Sequence, residues 1–314
     1  MSNLRDAVGL CVPYGRANSQ YQTEFEPANG TLWGYFNPRG VTACYSLGLL
    51  NDILAHDRQL VENGARVCLD GSWHDVRYYV TGSRIARVFN LGGDLALFVL
   101  LIKSRDREAL AHYARLCIEN MYPRTQSFFS PTLTKIALVQ GDALGGGFEC
   151  ALASDLIVAE EGAQLGFPEV LFNLFPGMGA YSLLSRRIGM RAAEELILSG
   201  TMLPAAKLHE MGVVDILARD GEGPLAVREW IAGNARRRNA VQAAFRAKRC
   251  VNPVTRAELD AITDVWVDAA FRLTDRDLKM MSRIVRAQMR RMEQGDVGDV
   301  AAAAIEEERA VAAL

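Results

Sequence analysis

Apolar positions recur at helical spacing from Ala43 to Glu62, whereas Leu32 to Pro38 (LWGYFNP) is a dense aromatic run closed by proline, which predicts a strand. Residues 1 to about 28 hold no sustained period and predict an irregular arm, with order beginning near Leu32. Strands are predicted over Asp75 to Val80 and Ala86 to Asn90, rich in Val, Tyr and Phe and parted around Gly82. Helical spacing returns from Leu95 to Ile102 and from Arg107 toward Met121, with Pro123 marking an end. Past Pro131 an apolar strand, Ile136 to Val139, gives way to three glycines and a short helical stretch, Phe148 to Ala153. Another apolar run (Leu156 to Ala159) leads to a turn at Gly166-Phe167-Pro168-Glu169. Helical patterns follow over Tyr181 to Ile188, Arg191 to Leu198 and Ala205 to Met211, then a short strand, Val213 to Leu217.

Alternating strands and helices in this order predict an α/β fold. From Leu225 onward the pattern is helical, broken at Pro253, with its longest periodic stretch from Thr255 to Gln294. The shift near 220–252 divides the chain into an arm (1–28), a core (29–222) and a C-terminal helical region (223–314). The end, AAAAIEEERAVAAL, reads as a short helix or a frayed tail.

A length of 314 residues suits one large domain with an appended subdomain, and an apolar half of the composition can fill its core. The formal net charge of −2 argues against a nucleic-acid binder that relies on a broad basic surface. No run approaches the roughly 18 apolar residues of a membrane helix, and the start lacks a signal-peptide core, so the chain is expected to be cytoplasmic. Six cysteines without a CxxC pair predict reduced thiols, and four histidines without ligand spacing give no metal site; no cofactor is expected.

Candidate chemistry concentrates around Gly145-Gly146-Gly147. A strand-to-helix turn there leaves backbone N–H groups without intrahelical partners, and the missing Cβ lets a carbonyl oxygen come close. Glu149 and Glu169 flank that turn and could move protons on such a ligand. Each feature has a plain explanation too, since glycines serve tight turns and Glu149 suits a helix N-terminus. Other motifs fall short. Gly177-Met178-Gly179 begins a GxGxxG-like string that has Ser182 at its third glycine, no GxSxG elbow occurs, and GDALGGGF lacks the Lys-Ser/Thr of a phosphate loop. Arg236-Arg237-Arg238 reads as a solvated helix face rather than a docking site for an acidic carrier protein or nucleic acid.

From about Leu32 to Leu217 the chain resembles the crotonase (enoyl-CoA hydratase/isomerase) superfamily, through NLGGDL at 90–95, ALVQGDALGGGFE at 137–149 and FPEVLFNLFPGMGA at 167–180. Within it, the N-terminal arm, GDALGGGFEC and FPEVLFNLFPGMGAYSLL are most similar to the synthases of diffusible cis-2-unsaturated fatty-acid signals. The resemblance implies a spiral of ββα units with a C-terminal helical subdomain that closes the acyl pocket. It implies an oxyanion hole from the Leu91 and Gly146 N–H groups, beside Gly92, Gly93 and Gly145, and an acid/base pair in Glu149 and Glu169. It places Trp266 first among pocket-lining residues, with Leu144, Leu174, Met178 and Ile284. The implied activity is dehydration of a 3-hydroxyacyl thioester, borne by acyl carrier protein or coenzyme A, with thioester hydrolysis releasing a cis-2-enoic acid. An ordinary enoyl-CoA hydratase is the alternative, and a non-catalytic protein binding a sensor kinase receiver domain or RNA is the competitor from another class. The family further implies a trimer or larger assembly.

Overall fold

The computed structural model describes residues 19–38 and 43–294, so the tail at 301–314 and the first part of the arm lie outside the described residues. Strands β1 (Tyr21–Glu26) and β2 (Thr31–Phe36) form an antiparallel pair turned at Gly30, which takes φ +70°. Residues 21–26 are therefore a strand and not an irregular arm. β1 is the edge of its sheet and most of its side chains are partly exposed, so polar residues dilute the alternation that would reveal it. Helix α1 (Leu47–Glu62) follows, capped by the Ser46 hydroxyl, which accepts from the Leu49 N–H. The hairpin β3 (Arg66–Leu69) and β4 (Ser72–Asp75) is invisible to hydrophobic periodicity, yet its turn, Asp70-Gly71 with positive φ at both residues, is a known two-residue hairpin signal.

The chain then repeats strand, strand, helix. β5 (Tyr78–Ser83) and β6 (Val88–Asn90) lead into α2 (Leu95–Lys103) and α3 (Arg107–Thr125). β7 (Thr134–Val139) and β8 (Asp142–Leu144) lead into α4 (Gly146–Leu152), and β9 (Leu156–Glu160) and β10 (Gln164–Gly166) into α5 (Ala180–Ile188) and α6 (Met190–Ser199). β11 (Met202–Pro204), α7 (Ala205–Glu210), β12 (Ile216–Ala218) and α8 (Gly223–Asn234) close the series. In each repeat the first strand joins one sheet, ordered β1-β2-β5-β7-β9-β12, and the second joins another, ordered β11-β10-β8-β6. Neighbours from β2 to β12 run parallel, as do β10-β8 and β8-β6. This is the expected spiral of ββα units. Covered on both faces, β7 buries every residue, which is why its stretch from Ile136 to Val139 reads as a continuous apolar run.

Two predicted breaks lie inside elements. Gly82 sits within β5, opposite Tyr35, where a Cβ would meet the Tyr35 ring at 3.3 Å. Pro123 sits in the last turn of α3, which continues to Thr125. Among the described residues α8 is followed by three further α-helices, α9 (Arg238–Val251), α10 (Arg256–Ala270) and α11 (Asp275–Gln294), with α10 packed on α3 and α11 on α2. Among the described residues no helix is long and apolar enough to cross a membrane. Cys44, Cys117, Cys150 and Cys250 stand outside any disulfide, but Cys68 is disulfide-bonded, which corrects the reading of all six as reduced.

Candidate active site

The site is built where the turn after β6 presses on the turn after β8. Gly92 adopts φ +88°, and a Cβ there would stand 2.7 Å from the Leu144 carbonyl oxygen and 3.1 Å from the Gly146 nitrogen. Only glycine permits that approach. Gly145, at φ +49°, ψ −120°, then aims the chain into α4, so Gly146 is the first helical residue and its N–H has no intrahelical acceptor.

The Leu91 N–H does not share this freedom. It donates to the Ala43 carbonyl at 2.8 Å, and its side chain packs with Ala43, Val88 and Leu144, so the expected pairing of Leu91 with Gly146 is not available here. Gly93 stands in its place. The Gly92 carbonyl accepts from the Tyr45 N–H at 2.7 Å, and across a trans peptide the following N–H, that of Gly93, points the opposite way. The Tyr113 hydroxyl fixes this turn, donating to the Tyr45 carbonyl at 2.7 Å and accepting from the Asp94 N–H at 3.2 Å.

A cleft with about 500 Å³ of empty space, its mouth included, opens beside these turns. Gly93, Gly146, Glu149, Glu169, Leu174, Met178 and Trp266 line it; Leu91, Gly92, Leu144, Gly145 and Ile284 do not. Ile284 is a fully packed core residue of α11, and Leu144 lies behind the glycine turn. Phe98, Tyr113 and Cys117 also line the cleft and escape the sequence reading, though Tyr113 and Cys117 stand one helical turn apart on α3, the spacing of a common face.

Glu149 is 1% exposed, and its Oε1 accepts from the N–H groups of Met178 and Ala180, each at 2.8 Å. Burial pushes its carboxyl up to about 7, against the pull of those amides. Glu169 enters from the one-turn helix Pro168–Phe172. Burial and then the charge of Glu149 hold its carboxyl well above the ordinary range, and its Oε2 is buried with no hydrogen-bond partner among the described residues. The apolar end is set by Trp266 of α10, edge-on to Phe98 with ring centroids 5.1 Å apart. The arrangement can exchange protons with an oxygen-bearing ligand whose chain lies on apolar walls.

Comparison with known proteins bears on this geometry. The family model described as enoyl-CoA hydratase/isomerase matches residues 76–259. The 2,3-dehydroadipyl-CoA hydratase of Escherichia coli (strain K12) is 34% identical over 142 residues, 45% of this chain and 51% of its own. The chain spans about half the length of the curated relatives it matches. An enoyl-CoA hydratase from Bacillus halodurans superposes with a TM-score of 0.68 at 18% identity, covering 86% of this chain and all of that one (100%). DspI of Pseudomonas aeruginosa does so with a TM-score of 0.61 at 24% identity, covering 81% and 98%. At these identities the structural likeness is one of fold. With the family model spanning more than half of its residues, the chain belongs to the enoyl-CoA hydratase/isomerase family.

Proposed function

We propose that this protein adds and removes water across the C2–C3 bond of an acyl thioester, with Glu149 and Glu169 as its acid/base pair. One observation carries the reading: the buried carboxyl group of Glu149 and that of Glu169, whose Oε2 is buried, are both held above their ordinary range and face one apolar cleft beside the Gly146 N–H. In dehydration the thioester oxygen takes up negative charge as the C2 proton leaves, and the Gly146 and Gly93 amides are the donors that stabilise it. The Met178 and Ala180 amides favour the ionised form of Glu149, while Glu169 has only its own backbone amide and feels the charge of Glu149. The pair therefore ionises in order, Glu149 first. Glu149 takes the C2 proton, and protonated Glu169 gives its proton to the departing 3-hydroxyl, so the C3–O bond breaks and water leaves; hydration reverses both roles.

Solvent deuterium exchange at C2 tests the division of labour. Glu149→Gln should abolish exchange into a 3-hydroxyacyl thioester, whereas Glu169→Gln should retain exchange while losing dehydration. Normal turnover by both variants would overturn the reading.

The finer reading is a signal synthase: dehydration of a medium-chain 3-hydroxyacyl thioester on acyl carrier protein, then hydrolysis by a carboxylate-activated water to free the cis-2-enoic acid. The motifs GDALGGGFEC and FPEVLFNLFPGMGAYSLL support it, as does a cleft walled by Leu174, Phe98 and Trp266. A trimer, closure of the pocket by residues 223–314 and restraint by a sensor kinase receiver domain belong to the same reading. Mass spectrometry of products from carrier-protein and coenzyme A substrates separates it from an ordinary hydratase, because only the synthase releases free cis-2 acid.

A further inference from the structure

A second cleft opens between the end of α4, α5 and α9. It shares no lining residue with the first. Lys135, Arg186, Arg187, Lys248 and Arg249 line it, and Asp155 is the one carboxylate among them. Two of the cations are answered from outside the lining. Arg186 forks onto Glu258 at 2.8 and 2.9 Å, and Arg187 meets Asp215 at 3.1 Å. Asp155 is shared between Arg249 at 2.6 Å and Lys135 at 4.0 Å. These acids can balance three of the five cations, which leaves two positive charges unanswered within one cleft.

Three further observations point to an anion. Lys135 is 4% exposed, and burial, with Arg249 and Arg187 nearby, pulls its ammonium down to about 8 against the pull of Asp155, a cost that a bound anion would relieve. The Arg186 Nε is buried with no acceptor among the described residues. The surrounding chain is uniformly basic as well: between Glu229 and Glu258 there is no acidic residue, while seven Arg or Lys residues run from Arg236 to Arg256. Helix α9 exposes most of this stretch.

We propose that this cleft is a phosphate-binding site, in which a dianionic phosphate group is held by Lys248, Arg249, Lys135 and the Nε of Arg186. Fork-shaped guanidinium groups and compact ammonium groups are the donors that such a group selects. Free inorganic phosphate and the phosphates of a nucleotide such as coenzyme A share this chemistry.

The test is calorimetric titration of the full chain with inorganic phosphate in chloride buffer. Saturable binding is expected, weakened about tenfold by Lys248→Gln and further by Lys248→Gln with Arg249→Gln, since each removes a charge-assisted bond. Competition by coenzyme A would assign the site to a nucleotide, and its absence to free phosphate; the site stands in either case. No saturable binding, or binding untouched in the folded variants, would overturn it. Lys248 is exposed, so the single variant decides the matter if the double variant fails to fold.

Discussion

The Glu169 carboxyl group lies against the Cα of Gly145, so close that a Cβ there would stand 2.1 Å from Oε1. Gly145 thus shapes the site twice, by turning the chain into α4 at φ +49° and by leaving room for the second glutamate. Gly145→Ala must strain the turn or displace Glu169. Dehydration is expected to fall by about a hundredfold, the scale of a lost general acid, in a variant that still folds. Steady-state kinetics together with far-ultraviolet circular dichroism check this, and full activity would mean that Glu169 is not held where the turn leaves it.

Glu149 carries a stability cost that its replacement should reveal. Its carboxyl titrates at about 7 in the fold against an ordinary 4.5, so the folded chain binds this proton more tightly than the unfolded chain. Stability from this group is present below pH 4.5, is lost as pH rises toward 7, and at pH 8 the fold carries a penalty on the order of 3 kcal/mol. Glu149→Gln cannot ionise. It should resist urea better than the parent at pH 8 and equally near pH 4, while its dehydration rate falls by a hundredfold or more. Lower stability at pH 8 would contradict this account.

The same residues show what a sequence discloses and what it hides. Glycine spacing and the two glutamates mark the site because a strand-to-helix turn demands those residue types locally. The buried parallel strands are legible for the same reason, as Ile136 to Val139 is apolar on both faces. Leu91 misleads because its amide is taken by Ala43, a residue 48 positions earlier that no local pattern connects to it. Gly93 emerges only once the Tyr45 contact fixes the direction of a peptide. Edge strand β1 stays hidden because its outer face is polar, and Ile284 looks like a pocket residue until packing turns it into the core.

Pocket length should be adjustable from both sides of one contact. A Cβ on Gly177 would stand 2.5 Å from the Trp266 ring, so Gly177→Ala is expected to drive the indole into the cleft and favour short acyl chains. Trp266→Leu should do the reverse and raise relative kcat/KM for longer chains. A series of thioesters differing by two carbons measures both shifts. Identical chain preference in the two variants would remove Trp266 from the acyl wall.

Away from the cleft, Arg124 and Asp57 hold α3 to α1 through a bidentate pair at 2.7 and 2.9 Å, both residues buried. Arg124 also reaches Thr81 at 3.2 Å and the hydroxyls of Tyr21 and Tyr79 at 3.2 and 3.3 Å, which ties in β5 and the edge strand β1. Removing one partner leaves a buried charge uncompensated, which costs about 3–5 kcal/mol. Asp57→Asn should therefore lower the urea midpoint sharply, while kcat/KM of the folded fraction stays within about twofold because neither side chain lines the cleft. Replacing both by apolar residues of similar volume should recover much of the loss, since the desolvation penalty goes with the charges. A double variant no more stable than Asp57→Asn would mean that the tyrosine and threonine contacts, rather than the ion pair, secure the edge strand.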